Sequence, residues 1–414
     1  MPNGTKTILI ILAIIAISAC SLAGGVAIGY FIPNTSSTST PTPMVDTTTP
    51  LSTPQSTLSM DEKENLFKPF WEAWELVHKQ YLDQPVDDVL LMQGAIRGML
   101  DSLGDEHTGY MDPQEYQQAN APLEGEYDGI GAWVDTNGEL LTVVTPMPGS
   151  PAEEVGLKPG DQVIAVDGED VIGVDPNLVL RRVLGPAGTV VVLTVQREGS
   201  AEPLIFEITR AKITIPSVVS EMKDGNIAYL QLTSFGEKTT ADMKEALASL
   251  LEQNPKGLIL DLRYNGGGFL VTAVEVVSQF IEGGQVVMYE VYGDGSRNTY
   301  KSLPGGLATS IPMVILVNEG SASASEITAG ALQDYGRATL VGTQTFGKGS
   351  VQIWTDLQDN QGAVRITVAR WLTPKERQIH EVGLTPDVIV EITQEDVDAD
   401  RDPQLEKAIE ILTK

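Results

Sequence analysis

Cysteine is almost absent: Cys20 is the only one in 414 residues. That excludes an internal disulfide framework and any cysteine-based zinc site. Histidine is nearly as scarce. His78, His107 and His380 are scattered and none sits in an HExxH pattern, so metal catalysis and multi-imidazole mechanisms lack their residues. Positive charge is also short, with 27 basic against 56 acidic residues and a net charge of −29. Such a field repels phosphate backbones and anionic lipid, which excludes nucleic acid as a partner and leaves only hydrophobic contact with a membrane. Apolar residues make up 42%, enough for a sizeable core, and the length suits two or three domains.

What the chain does have begins at its N-terminus. No charged residue occurs from Ile8 to Ile32, a run long enough to cross a bilayer as a helix. Lys6 precedes it and no basic residue follows until Lys63, so the bulk of the chain is expected outside the cytoplasm. Two other readings stay open: a cleaved secretion signal, and a lipoprotein, because Ile17-Ser18-Ala19-Cys20 resembles a bacterial lipid-attachment box. Residues 1–32 are read as anchor or signal. Residues 33–60, rich in Ser, Thr and Pro, are read as a solvated stalk that cannot bury a core.

Residues 61–124 carry apolar side chains at helical spacing, among them Phe67, Phe70, Trp71, Trp74, Val77 and Tyr81, then Leu90, Ile96 and Leu103. They predict packing helices; faces of this size also suit a homo-oligomer contact. From 125 to 211 short strands alternate with Gly, Pro and Asp, and the string GLKPGDQVIAVDG follows Gly129-Ile130-Gly131-Ala132. This region resembles a PDZ domain. The resemblance implies that Gly129, Ile130, Gly131 and Ala132 form a nest of N–H groups for a peptide carboxylate, with the peptide adding as an edge strand. The resemblance also implies a basic residue where this chain has Leu184, so Arg181 or Arg182 would have to replace it. Residues 212–395 alternate apolar strands (227–232, 257–262, 313–317) with amphipathic helices at Thr239–Gln253 and Ser323–Gln333, which predicts an α/β core. Residues 396–414 are read as a closing helix.

Three strings carry chemistry. Ser323 stands between a buried strand and a helix, where a hydroxyl is exposed and N–H groups face incoming negative charge; Ser323-x-x-Glu326 is equally a capping box. Lys348 lies between Gly347 and Gly349. Gly342-x-x-x-x-Gly347-Lys348 begins like a phosphate loop, but Gly349 replaces its Ser/Thr and a strand pattern follows. Asp261-Leu-Arg263-Tyr-Asn265-Gly266-Gly267-Gly268 follows a strand, and its glycines permit close backbone approach to a ligand. A Ser-His-Asp triad using His107 or His380 competes, although neither histidine has the usual sequence context. Asp396, Asp398, Asp400 and Asp402 mimic a calcium loop, yet Arg401 and Lys407 stand at its sixth and twelfth positions, so they are read as a solvated charge run.

In this order, with SASASEI, ALQDYGRA, TFGKGSVQ and GLTPDV in register, the three strings resemble the carboxy-terminal processing (tail-specific) proteases, serine-lysine peptidases with an embedded PDZ domain. The resemblance implies an α+β multidomain fold: N-terminal helices, a β-rich PDZ domain and an α/β catalytic core of crotonase-like type. It matches Ser323 to the nucleophile, Lys348 to the general base and Gln352 to a residue that orients the lysine. Ala324 N–H, with that of Gly267 or Gly268, matches the oxyanion hole, and Asp334 a structural acid. It implies a serine endopeptidase acting on proteins or peptides with exposed C-termini, without cofactor or metal, held at a bacterial cell membrane with its catalytic part outside. The opposing reading is a catalytically silent PDZ scaffold at the cell surface. Lys348 has to be neutral to act, and lowering a lysine from about 10.4 to about 7–8 takes roughly 3–4 kcal/mol of desolvation.

Overall fold

The computed structural model describes residues 58–399 and 401–414. The expected anchor and nearly all of the stalk lie outside the described residues. Among the described residues no helix is long and apolar enough to cross a membrane.

Helix Met60–Gln80 starts at a capping box in which Ser59 and Glu62 satisfy each other's N–H groups. Its rings contact one another, Phe70 edge-on to Trp71 and Trp74 stacked on His78, but none of its residues is buried. The packing expected of this face is therefore not found among the described residues; Phe67 and Trp71 remain exposed. Helix Asp88–Asp101 follows. The helical reading then breaks at Gly109–Met111, a strand, before helix Pro113–Glu124 opens on the Asp112/Glu115 capping box.

The β-rich part is a sheet ordered from Ala132–Asp135 at one edge through Thr142–Pro146, Gln162–Val166 and Val190–Gln196 to Leu204–Thr209. Alternation decides which residues go inward: Val191, Leu193 and Val195 are buried while Val190 is exposed. Helix Pro176–Val183 covers this core through Val179 and Val183.

The larger α/β part is built on a six-stranded sheet ordered Val218–Lys223, Ile227–Leu232, Gly257–Asp261, Met313–Val317, Thr339–Gly342, Val388–Ile389. All pairs but the first are parallel. Its central strands Gly257–Asp261 and Met313–Val317 are buried at every position because both faces are covered. Leu258, Leu260 and Ile315 meet helices Thr239–Glu252, Leu270–Val277 and Ala324–Asp334 on one side. Ile259, Val314 and Leu316 meet helix Pro403–Thr413 on the other. Each such side chain contributes about 1.5–3 kcal/mol of burial. Helix Ala324–Asp334 is not amphipathic as expected but buried at nearly every position, because it is the inner layer of the stack.

A second sheet pairs Ala363–Leu372 with Ser350–Asp356, with Val286–Tyr292 and with the early strand Gly109–Met111. The N-terminal segment is thus hydrogen-bonded into the C-terminal half, Gly109 opposite Arg365.

Just beyond strand Gly257–Asp261 of the central sheet Arg263 forms a joint. Its guanidinium binds fully buried Asp261 (Nη2–Oδ2 2.6 Å) and Asp402 (Nη2–Oδ2 2.8 Å), and Asp402 also caps helix Pro403–Thr413. Asp396, itself buried, pairs with Arg401. The solvated-run reading is therefore corrected at both ends: Asp396 and Asp402 are structural anions holding the closing helix. Arg263→Met leaves the buried Asp261 carboxylate without its counter-ion, although the Tyr229 hydroxyl still donates to it (2.8 Å), and is expected to lower stability by about 3–5 kcal/mol, read from urea unfolding. A change below 1 kcal/mol would show that this joint is not a structural tie.

Candidate active site

The serine, lysine and glycine strings meet at one cleft of about 680 Å³, lined by Ser323, Lys348, Gln352, Gly266, Gly267 and Gly268, with Trp354 and Trp371 among the apolar walls. The strand Met313–Val317 leads into the loop Asn318–Ser323, and the chain turns abruptly at Ser323, whose φ of 55° and ψ of −114° lie outside ordinary territory for a β-substituted residue. Such a backbone costs about 1–3 kcal/mol and persists only where its surroundings fix it. A serine held on a strained strand-to-helix turn presents its hydroxyl at the helix start.

The surroundings that fix it are polar and specific. Asn265 O accepts from Ala322 N–H (3.0 Å) and from the Ser325 hydroxyl (2.8 Å). The Ser321 hydroxyl donates to Leu262 O (2.8 Å), and Asn318 Oδ1 accepts from Tyr264 N–H (2.8 Å). The glycine loop and the serine loop are thereby stitched together. Gly267, at φ +102°, presses against the serine so closely that a Cβ there would lie 2.7 Å from Ala322 O and 2.8 Å from Ser323 Cβ. Its N–H is already committed to Asn265 Oδ1 (2.9 Å). Among the described residues, the Gly268 and Ala324 N–H groups have no such acceptor.

Glu326 ties serine to lysine. Its carboxylate is fully buried and accepts four hydrogen bonds: from Ser323 N–H (3.0 Å), Thr345 Oγ1 (2.6 Å), Gly347 N–H (2.8 Å) and Lys348 N–H (2.9 Å). The Thr345 hydroxyl accepts from Leu384 N–H, so its own proton goes to Glu326. Burial pushes the Glu326 carboxyl up from the usual range, and the Thr345 hydroxyl and three backbone N–H groups oppose that. Sequence reasoning saw this residue only as a helix cap; its reach to the lysine loop has no local signature.

Lys348 is half-buried with its backbone pinned by Trp371 Nε1–H at its carbonyl (2.9 Å). The flanking glycines are dictated by crowding: a Cβ on Gly347 would meet Gly383 N at 2.9 Å, and one on Gly349 would meet His380 N at 2.7 Å. Burial lowers the Lys348 pKa and the nearby Arg365 lowers it further, against a smaller pull upward from Glu326. Gln352 shares the cleft, but its Nε2 donates to Ser350 Oγ (2.8 Å) and Thr367 Oγ1 (3.2 Å), and it forms no hydrogen bond with Lys348.

His107 was expected in a helix. It sits instead in the turn before Gly109–Met111, where its ring meets that of His380 (centroids 6.4 Å apart) and its pKa is lowered by burial and then by Lys348. Both histidines thus lie beside the lysine, yet neither hydrogen-bonds Ser323 among the described residues. Asp334 is outside the cleft, accepting from Lys375 N–H and paired with Arg377. No cluster suited to a metal occurs among the described residues.

The proposed peptide loop occupies a separate groove of about 360 Å³ beside the edge strand Ala132–Asp135. Gly131 has φ +76° and packs on Ser150, Ile130 is buried, and Ile130, Ala132, Leu180 and Leu184 line the groove. Gly129 ends the strand before it. Arg181 is held by Glu115 and Asp112, and Arg182 by Glu169, so both substitutes for the missing base are engaged elsewhere. Residues of helix Pro113–Glu124 line both spaces, Gln117 the groove and Tyr116 the cleft.

The profile of Peptidase family S41 matches residues 226–390, that of the PDZ domain residues 142–197, and that of the activating protease CtpB N-terminal domain residues 24–115. The carboxy-terminal-processing protease of Bartonella bacilliformis is 38% identical over 341 residues, covering 81% of this chain and 78% of its own. CtpA of Bacillus subtilis, a carboxy-terminal processing protease, is 38% identical over 329 residues, covering 80% and 70%. Among solved structures, the photosystem II D1 C-terminal processing protease superposes with a TM-score of 0.50 at 30% identity, covering 83% of this chain and 96% of that one. Fold and matches together define a serine peptidase with an α+β multidomain build. More narrowly, the chain belongs to the carboxy-terminal processing protease family.

Glu326→Gln replaces an acceptor of four donors by a group that brings two N–H of its own. It is expected to cost about 2–4 kcal/mol in stability and to reduce labelling of Ser323 by a fluorophosphonate about 100-fold. Wild-type labelling by the variant would show that the carboxylate does not hold serine and lysine in place.

Proposed function

We propose that this chain is an endopeptidase that hydrolyses peptide bonds through Ser323 and Lys348, and that it takes hold of protein C-termini in the groove beside Ala132–Asp135. The observation that carries the reading is the shared cleft of a strained serine and a lysine with no hydrogen-bond or ion-pair partner at its ammonium group among the described residues. Lys348 Nζ, neutral, takes the proton as Ser323 Oγ bonds to the substrate carbonyl carbon. Ala324 N–H and Gly268 N–H, both unengaged, support an assignment as the donors that receive the negative oxygen. The C–N bond breaks as Lys348 returns the proton to the leaving amine. Water, deprotonated by the same lysine, then attacks the acyl-enzyme and releases the second product.

The groove is lined by Ile130 and Ala132 with an apolar wall ending in Leu184, which suits a peptide C-terminus followed by apolar side chains. The uncharged run from Ile8 to Ile32 supports a tether that leaves both sites outside the cytoplasm. The exposed aromatic face of helix Met60–Gln80 supports a contact between copies of the chain.

Cleavage of an unfolded protein is expected to fall at least about 1,000-fold in Ser323→Ala and Lys348→Ala. Equal cleavage by wild type and both variants would remove the serine-lysine assignment and leave the scaffold reading. Because burial lowers the Lys348 pKa, kcat/KM should climb with pH and level off below the ~10.4 of a free lysine. A climb that vanishes in His380→Ala but survives in Lys348→Ala would transfer the base to histidine. For the groove, an apolar peptide with a free C-terminus should bind Ser323→Ala protein about tenfold more tightly than its C-terminal amide; equal binding would contradict carboxylate capture.

A further inference from the structure

The catalytic cleft is not uniform along its length. Helix Pro113–Glu124 forms one wall, and Tyr116, Asn120 and Glu124 line the cleft from positions that recur every fourth residue along one helix face. From Tyr116 to Glu124 is two such steps, about 12 Å of helix. The two ends differ in chemistry. At the first, the Tyr116 ring contacts that of Trp354 (centroids 5.8 Å apart), on the strand Ser350–Asp356 that follows Lys348. Both rings are half-buried and both line the cleft, so this end presents an aromatic surface.

At the second end the helix meets the segment 234–237. Glu237 N–H donates to Leu123 O (2.9 Å), and a Cβ on Gly236 would lie 2.4 Å from the same oxygen, so the two are fixed against each other. Glu124 and Glu237 are exposed and line the cleft together. Lys212 and Lys238 are bound to Glu126 instead (2.7 and 3.3 Å), and neither Glu124 nor Glu237 has an ion-pair partner among the described residues. Ser323 lies between the two ends. On one side Gly267 presses on it, and Gly267 O accepts from Phe235 N–H (2.9 Å), two residues before Glu237. On the other side Glu326 ties it to Lys348, which leads into the strand bearing Trp354.

We propose that helix Pro113–Glu124 acts as a ruler for the cleavage site: the peptidase prefers a substrate with an apolar side chain and a lysine or arginine three or four positions apart, the scissile bond lying between them. This rests on the serine-lysine reading above. The spacing follows from length, because an extended chain advances about 3.3 Å per residue and covers 12 Å in three to four residues. The apolar side chain leaves water against the Tyr116 and Trp354 rings. The cation supplies the counter-charge that Glu124 and Glu237 lack. The net charge of −29 favours a basic substrate wherever its cation sits, whereas the ruler favours one distance from the apolar residue.

The test uses the full chain and fluorogenic peptides carrying one leucine and one lysine at spacings from one to six positions, in both orders. For one order kcat/KM is expected to peak at a spacing of three or four, about fivefold above the same peptide with glutamine in place of lysine. Glu124→Gln combined with Glu237→Gln should bring that ratio to about one. Glu124→Lys combined with Glu237→Lys should reverse it, so that glutamate at the same position is favoured, an outcome that misfolding does not produce. Trp354→Ala should remove the advantage of leucine over glycine at the apolar position. Two outcomes overturn the proposal: the same gain from lysine at every spacing, as net charge alone would give, or a peak that survives the paired glutamine substitutions. Failure of the serine-lysine reading is distinguishable, because Lys348→Ala would then cleave these peptides at the wild-type rate.

Discussion

The Glu326 carboxylate is the interaction on which the rest of the site depends. Buried charge is costly unless every lone-pair direction is answered, and here four donors answer it. Those donors come from the serine turn and from the lysine loop, so solvation of one anion by the protein sets the separation of two elements distant in sequence. The strained backbone of Ser323 needs such a partner, because nothing in its local sequence favours a left-handed φ. Gly267, pressed against the same residue, closes the remaining side.

Around that point the architecture supplies rigidity of two kinds. The parallel sheet delivers the glycine and serine loops at the same edge, since Gly257–Asp261 and Met313–Val317 are neighbours in register. The second sheet delivers Lys348 and Gln352 at its start, where Ser350–Asp356 runs beside Ala363–Leu372. Loops that leave adjacent strands in the same direction must converge, and here they converge on the cleft. The groove beside Ala132–Asp135 is outside this convergence, joined to it by helix Pro113–Glu124 and the Arg97–Glu115–Arg181 ion cluster.

Much of this was legible in the sequence, and the reasons are local. The apolar runs at 257–262 and 313–317 could only be strands covered on both faces, and the glycines around Lys348 announced crowding before any partner was known. What stayed hidden was long-range. Glu326 looked like a helix cap because its first bond is a cap; its bonds to residues 345–348 depend on tertiary approach. His107 was assigned to a helix, yet the strand at Gly109–Met111 is short and its partner lies near residue 365, so no periodicity marks it. Asp402 resembled a free charge because Arg263 is far away in sequence. The aromatic face of Met60–Gln80 was legible as apolar, but periodicity alone does not name what covers it.

The pairing of that early strand also has a consequence in time. His107 and Arg365, hydrogen-bonded to each other, are separated by 258 positions. Contacts of such span form late, after the intervening chain exists and its loop entropy has been overcome. A chain still leaving the ribosome has the groove beside Ala132–Asp135 before it has its lysine loop, and its lysine loop before the strand that pairs with Gly109–Met111. The cleft and the strand beside it are thus completed only when most of the chain has been made.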